Sequence, residues 1–139
     1  MRRLSDIIYN QHPITLSPSA TVREACKCMH DFHAGSVLVT DVGGRLVGIF
    51  TGRDAVGRVL AGAKDPAKTT LATVMTHNPT TMPPERTAIE ALRLMWDRGF
   101  RHVPVVKDGK LMGVVSRGDF KGHEQSRLDE ERDLWEHMR

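Results

Sequence analysis

Leu46 to Asp54, reading Leu-Val-Gly-Ile-Phe-Thr-Gly-Arg-Asp, return later in the chain as Leu111 to Asp119, Leu-Met-Gly-Val-Val-Ser-Arg-Gly-Asp. In each copy a β-rich apolar run, Val47–Phe50 or Met112–Val115, ends at a hydroxyl residue, Thr51 or Ser116, and an aspartate, Asp54 or Asp119, follows three positions on. The pattern turns helical there, which predicts a helix carrying the aspartate in its first turn. A hydroxyl and a carboxylate at a strand's carboxyl end can accept from and donate to the vicinal hydroxyls of a ribose. The N–H groups and positive dipole end of a helix favour a phosphate. Thr-x-x-Asp and Ser-x-x-Asp are equally ordinary capping boxes, and taken singly each pair needs no other explanation.

The duplication extends far beyond these two stretches. Pro79 stands 66 positions after Pro13, and the same offset carries the capping box Thr21/Glu24 onto Thr87/Glu90, Ala25 onto Ala91, Met29 onto Met95 and Val37 onto Val103. Past the hairpin turn the offset drops to 65, because Asp41–Arg45 is one residue longer than Asp108 and its neighbours Lys107 to Lys110. A loop loses a residue at small cost.

Each copy predicts the same events. Leu4–Ile8 and Leu71–Met75 read as helical turns, broken at His12-Pro13 and His77-Asn78-Pro79. Ile14-Thr15-Leu16 is a brief strand. Thr21 opens a helix with an apolar stripe of Val22, Ala25, Cys26, Met29 and Phe32. Val37–Thr40 and Leu46–Phe50 form a hairpin about Gly43-Gly44, and a second helix follows to about Ala61. The expected fold class is α/β, of α+β type: two βαββα repeats, 1–62 and 71–120, joined by a linker at 63–70 and followed by an acidic helical tail at 121–139. Burying the open face of each repeat against the other gives a pseudo-two-fold pair with two related clefts.

Composition bounds the function. At 139 residues with 40% hydrophobic content the chain is large enough for a real core, and no apolar run approaches the roughly 20 residues of a membrane span. The opening Met-Arg-Arg-Leu-Ser-Asp is interrupted by polar residues and does not read as a signal peptide. Cys26 and Cys28 stand two apart on a helix and cannot easily bridge, which fits a cytoplasmic setting. The net charge of +3 divides unevenly, because residues 121–139 hold four Lys/Arg against six Asp/Glu. The basic residues of the body are scattered and aromatics make up 5%, so nucleic acid is not favoured as a partner.

Taken together, the residues resemble a tandem pair of CBS domains, the cystathionine β-synthase repeat or Bateman module. The resemblance covers about residues 1–120. It rests on Asp6-Ile7-Ile8 and Thr73-Val74-Met75, Pro13 and Pro79, the Thr-x-x-Glu helix starts, Gly35-Ser36-Val37-Leu38-Val39, Arg101-His102-Val103-Pro104-Val105-Val106 and the two Leu-to-Asp stretches. It implies a regulatory module that binds an adenosine-containing ligand, AMP, ADP or ATP first and S-adenosylmethionine or NAD next, and passes its state to a regulated protein. No catalysis and no required cofactor are implied. By analogy Ser116 and Asp119 hold the ribose in one cleft, with Thr51 and Asp54 in the other. Arg101 and His102 match positions that meet phosphate, and their counterparts Gly35 and Ser36 carry no charge, so the clefts are expected to be unequal. The Asp119 cleft is then the better phosphate site, with Gly35 and the Thr15 strand approaching the base. Arg53 and Arg117 flank the aspartates and are placed either at the phosphate or in solvent. The family also implies a homodimer through its helices, with Trp96 and the methionines packing on the second copy. The other class of reading is a ligand-independent dimerisation or scaffold module.

Three further patterns carry less. Cys26, His30 and His33 have metal-ligand spacing on a helix, but Cys26, Cys28 and His30 map onto Leu92, Leu94 and Trp96 in the second copy, so no metal site is expected. Arg117-Gly118-Asp119 spells an adhesion tripeptide by coincidence. The tail pairs Arg127 with Glu131 and Arg132 with Glu136, and its apolar residues are Leu128, Leu134, Trp135 and Met138. It reads as a solvated helix docked through Trp135, or as a handle for a partner.

Overall fold

The structure is a computed structural model and describes residues 1–137. Met138 lies outside the described residues. The chain forms two compact units that are not the two sequence repeats. One comprises Met1–Gln11, Thr81–Lys107 and Met112 onward, and the other His12–Thr80 with Asp108–Leu111.

The unit holding the first repeat is a four-stranded sheet backed by helix. Strands β1 (Thr15–Leu16), β2 (Ser36–Thr40), β3 (Leu46–Thr51) and β4 (Thr76–His77) lie in that order. β1 is parallel to β2 and the remaining pairs are antiparallel, with Ser36 opposite Thr51. Helix α2 (Val22–Asp31) starts at a reciprocal capping box, in which Glu24 N–H donates to Thr21 Oγ1 and Thr21 N–H to Glu24 Oε2, both at 3.2 Å. Its stripe of Val22, Ala25 and Met29 is buried with Val37, Val39, Phe50 and Val59, and Cys26 packs against that core. Phe32 departs from the expected stripe and is 70% exposed, because α2 has ended at Asp31.

The segment 63–70 is not a slack connection. The Thr69 carbonyl accepts Val22 N–H (2.9 Å) and the Pro66 carbonyl accepts Arg23 N–H (3.1 Å), so the linker satisfies amides that a helix start leaves without partners. The helix expected after β3 is also unusual. A single α turn, α3 (Gly52–Asp54), opens into wide i→i+5 winding over Ala55–Leu60, where Ala61 N–H reaches the Val56 carbonyl. Such π turns often mark functional positions.

The unit holding the second repeat begins with α1 (Leu4–Ile7), from the start of the chain, whose Leu4 is fully buried. Just as α4 (Leu71–Val74) packs into the core of the first unit, α1 packs into this one. Helix α5 (Ala88–Arg98) repeats the capping box at Thr87/Glu90 and ends at Gly99 with φ 77°. Its Ala88, Ala91, Leu92 and Met95 share a core with Leu4, Val103, Val105 and Val115. Strands β5 (His102–Lys107) and β6 (Lys110–Ser116) form a hairpin whose tip residues Asp108 and Gly109 both have positive φ, the requirement of a tight primed turn. Met82 bridges Val105 in parallel, as β1 pairs β2.

Where β4 flanks β3 in the first unit, a side chain flanks β6 in this one. Gln11 Nε2 donates to the Val114 carbonyl (2.8 Å), and Val114 N–H donates to Gln11 Oε1 (2.7 Å). The carboxamide stands in for a peptide group. Gly113 permits this approach, since a Cβ there would lie 2.6 Å from Gln11 Oε1 and 2.8 Å from Ile8 Cβ.

The tail forms α6 (Gly122–His137) and docks on α5. Its anchors differ from the expectation. Leu128 and Glu124 are buried, while Leu134 and Trp135 are 62% and 72% exposed. Glu131 pairs with Arg93 of α5 at 2.6 Å rather than with Arg127.

Candidate functional site

Both hydroxyl–carboxylate pairs lie at the carboxyl ends of their strands. At β3, Thr51 N–H and Thr51 Oγ1 donate to Asp54 Oδ2 (3.0 and 3.2 Å), and Asp54 N–H returns to Thr51 Oγ1 (3.3 Å). Asp54 Oδ1 faces Arg58 Nε at 3.6 Å. That carboxylate already has a cation beside it. Gly52 N–H donates to the Gly35 carbonyl (3.2 Å), tying the start of α3 to the residue before β2.

At β6 both bonds to the carboxylate recur, the backbone one shorter. Ser116 N–H donates to Asp119 Oδ2 at 2.7 Å and Ser116 Oγ donates to the same oxygen at 3.2 Å. Among the described residues, Asp119 Oδ1 takes no hydrogen bond. Arg117 N–H donates to the Arg101 carbonyl (3.1 Å), the counterpart of the Gly52–Gly35 bond, so Arg101 and His102 stand beside the Ser116–Asp119 turn. Arg101 is exposed and His102 half-buried. Burial pulls the His102 imidazole below its ordinary 6.5; Asp119 opposes that shift and Arg101 adds to it. A neutral imidazole, a guanidinium and a carboxylate with one open oxygen therefore share this end of the unit.

Here the helical expectation is corrected. After β6 there is only a 3₁₀ turn, Arg117–Asp119, and Phe120 is extended at φ −90°, ψ 140°. No continuous α-helix starts at this turn among the described residues, so side chains and turn amides are the groups it offers a phosphate. The chain runs extended through Phe120 before α6 starts at Gly122.

Arg117 is partly buried and reaches back onto α5. Its Nη2 donates to the Met95 carbonyl (3.0 Å), and its guanidinium lies 4.4 Å over the Trp96 ring, which Arg132 also approaches at 5.3 Å. Trp96 is thus occupied by intrachain cations while 43% exposed, and Met29 and Met95 are core residues rather than a surface for a second copy. Arg53 is exposed in α3. Thr15, exposed in β1 opposite Leu38, and Gly35 belong to the first unit and carry no charge. His33 has left α2 with φ 53°, so the expected helical face of Cys26, His30 and His33 does not form, and burial pushes the Cys26 thiol up. A groove of about 390 Å³ beside α5, lined by Met82, Arg86, Glu90 and Asp97 among others, includes none of the predicted site residues.

Sequence reasoning missed Arg2. Its Nη2 donates to the Asp119 carbonyl (2.9 Å) and to Glu124 Oε1 (2.6 Å). No local pattern marks a contact across 117 positions.

Two strand-end hydroxyl–carboxylate turns of one design define a duplicated module. The profile of the CBS domain matches residues 4–61 and again 71–124, and the chain belongs to the CBS domain family as a tandem pair. Among its relatives is the CBS domain-containing protein CBSCBSPB2 of Arabidopsis thaliana, 37% identical over 102 residues, which are 73% of this chain and 19% of that protein. The chain thus spans about a fifth of the length of that relative. Two solved structures are similar over 91% of this chain and 98% of theirs. One is the CBS domain protein PAE2072 from Pyrobaculum aerophilum complexed with AMP, with a TM-score of 0.81 at 26% identity. The other is the CBS domain pair of protein MJ0100 in complex with 5′-methylthioadenosine and S-adenosyl-L-methionine, with a TM-score of 0.75 at 28% identity.

Proposed function

We propose that the chain is a cytoplasmic regulatory module, without catalysis of its own, that binds an adenosine-containing ligand and transmits its occupancy to a regulated protein. The observation that carries this reading is the Asp119 carboxylate, fixed through one oxygen at the end of β6 and open at the other, beside Arg101 and His102. The open oxygen accepts a ribose hydroxyl, Ser116 Oγ supplements it, and Arg101 neutralises a phosphate that His102 solvates without adding charge. Asp54 is the weaker ribose acceptor because Arg58 shares its charge. Thr51, Arg53, Thr15 and Gly35 are assigned to ligand contact in the first unit, and Arg117 is assigned to packing. The AMP, 5′-methylthioadenosine and S-adenosylmethionine of the two similar structures support an adenosine ligand. Among nucleotides AMP is favoured, since Arg101 and His102 supply few groups for further phosphates. Binding stabilises one state of the module by its difference in affinity between states, and a homodimer through the helices is the assembly assigned.

The test is a calorimetric and thermal-shift comparison of AMP, ADP, ATP, S-adenosylmethionine, 5′-methylthioadenosine and NAD, with GTP as control, on protein freed of carried-over nucleotide. A ligand at about 100 times its Kd adds roughly 2.7 kcal/mol to stability. A shift with an adenosine compound that Asp119→Asn removes supports the sensor. The absence of any shift favours a ligand-independent scaffold, which the internally satisfied capping box at Thr51/Asp54 would equally suit.

A further inference from the structure

Arg2 clamps two elements with one guanidinium. Nη2 donates to the main-chain carbonyl of Asp119 (2.9 Å) and to Glu124 Oε1 (2.6 Å), and Nε donates to Glu124 Oε2 (3.3 Å). Glu124 is almost wholly buried, and its Oε1 also accepts Lys121 N–H (2.8 Å), which closes the first turn of α6. Arg2 is itself fixed, because its carbonyl accepts Ala88 N–H at the start of α5 (2.9 Å).

The Ser116–Asp119 turn is held at its start by its own capping bonds and by Arg117 on Arg101, Met95 and Trp96, and at its end the Asp119 carbonyl is held by Arg2. It is a single 3₁₀ turn followed by extended chain, so its carbonyls lack the ladder that a continuing helix provides. Helix α6 has few buried anchors. Leu128 and Glu124 are its buried side chains among the described residues, and the Arg93–Glu131 pair is exposed enough to hold weakly. Besides Leu128, α6 is held by two ion pairs and by Arg132 over Trp96, and of these contacts the Arg2–Glu124 pair is the buried one that also touches the turn.

We propose that Arg2 is a positioning residue for the ligand turn and that, through Glu124, the docking of α6 on α5 is the output of binding at Asp119. This rests on the Ser116–Asp119 turn being the ligand site. A ligand that fixes the turn holds the Asp119 carbonyl on Arg2, keeps Arg2 on Glu124 and so keeps the first turn of α6 closed. By reciprocity, loosening α6 at Glu124 weakens the ligand.

The experiment compares the wild-type chain with Glu124→Gln, Glu131→Gln and Asp119→Asn. Calorimetry with AMP, S-adenosylmethionine and 5′-methylthioadenosine gives affinity, and amide hydrogen exchange is followed at 116–119 and at 122–133. In wild type the bound probe slows exchange in both segments. Glu124→Gln weakens the probe about fivefold or more and speeds exchange in both segments. Glu131→Gln frays only the part of α6 beyond Leu128 and leaves Glu124 on Arg2, so it speeds exchange there, keeps 116–119 at the wild-type rate and leaves affinity near wild type, whereas a general loosening of the fold would move both variants alike. Wild-type affinity in Glu124→Gln, or a bound probe that leaves α6 exchange unaltered, overturns the proposal. If no probe binds wild type, the ligand reading fails, and the coupling is judged by exchange alone. Faster exchange at 116–119 in Glu124→Gln but not in Glu131→Gln upholds the coupling, and unchanged exchange there overturns it. Should Glu124→Gln not fold, Arg2→Lys keeps the charge but cannot bridge both acceptors, and is read by the same two measurements.

Discussion

Because His102 lies half-buried at the start of β5, the folded chain holds its imidazole below 6.5, chiefly through burial and against the pull of Asp119. As pH falls through 6.5 the unfolded chain takes up this proton first, so stability declines from there down to the lowered folded value and is flat below it. Glu124 belongs to a more acidic window. Burial alone would raise its carboxyl, but Arg2 and the Lys121 amide together hold it below 4.5, and its contribution is lost only as pH falls through that lowered value. His102→Asn is therefore expected to flatten the loss of stability that sets in as pH falls through 6.5 in urea unfolding, leaving the loss below 4.5 in place. Gly113→Ala is a second test at this scale. The new methyl group meets Ile8 and Gln11 at closer than van der Waals distance, and a loss of about 1–3 kcal/mol is expected by chemical denaturation.

Gln11 performs the work of a strand, and its replacement tests an element rather than a side chain. Gln11→Ala leaves a partly buried N–H and C=O of Val114 without partners, for an expected cost of about 1–3 kcal/mol. Gln11→Glu loses the bond to the Val114 carbonyl, because a carboxylate cannot donate, and denaturation curves should place it between wild type and the alanine variant. These elements also mark how far sequence carries the fold. Helices α2 and α5 were legible because Thr-x-x-Glu and a regular apolar spacing are local signals, and the β2–β3 and β5–β6 hairpins because β-branched runs flank their glycines. The aspartates were legible by the repeat alone. What stayed hidden depends on partners distant in sequence: Gln11 replacing a strand, Glu124 and Leu128 rather than Trp135 anchoring α6, and Arg117 turned onto Trp96. The wide winding of Ala55–Leu60 has no compositional mark either.

At the scale of the whole molecule, the compact units cross the repeats. Residues 1–11 belong with 81–107 and the end of the chain, and 12–80 form the body of the other unit. Removal of residues 2–8 is therefore expected to harm the second repeat and not the first. Hydrogen exchange should speed in α5, β5 and β6, which lose Leu4 and Ile8 from their core, while β2 and β3 keep their protection.

The place of Leu4 also sets an order of events during synthesis. Its amide bonds the carbonyl of Arg86, and its core neighbours begin at Ala88. At roughly 5–20 residues per second the ribosome needs several seconds to travel from Leu4 to these partners. Through that interval the unit built on 12–80 can close around Val37 and Phe50, while Leu4, Ile7 and Ile8 wait as an apolar stub. Leu4 is made well before its partners and can be placed only after them.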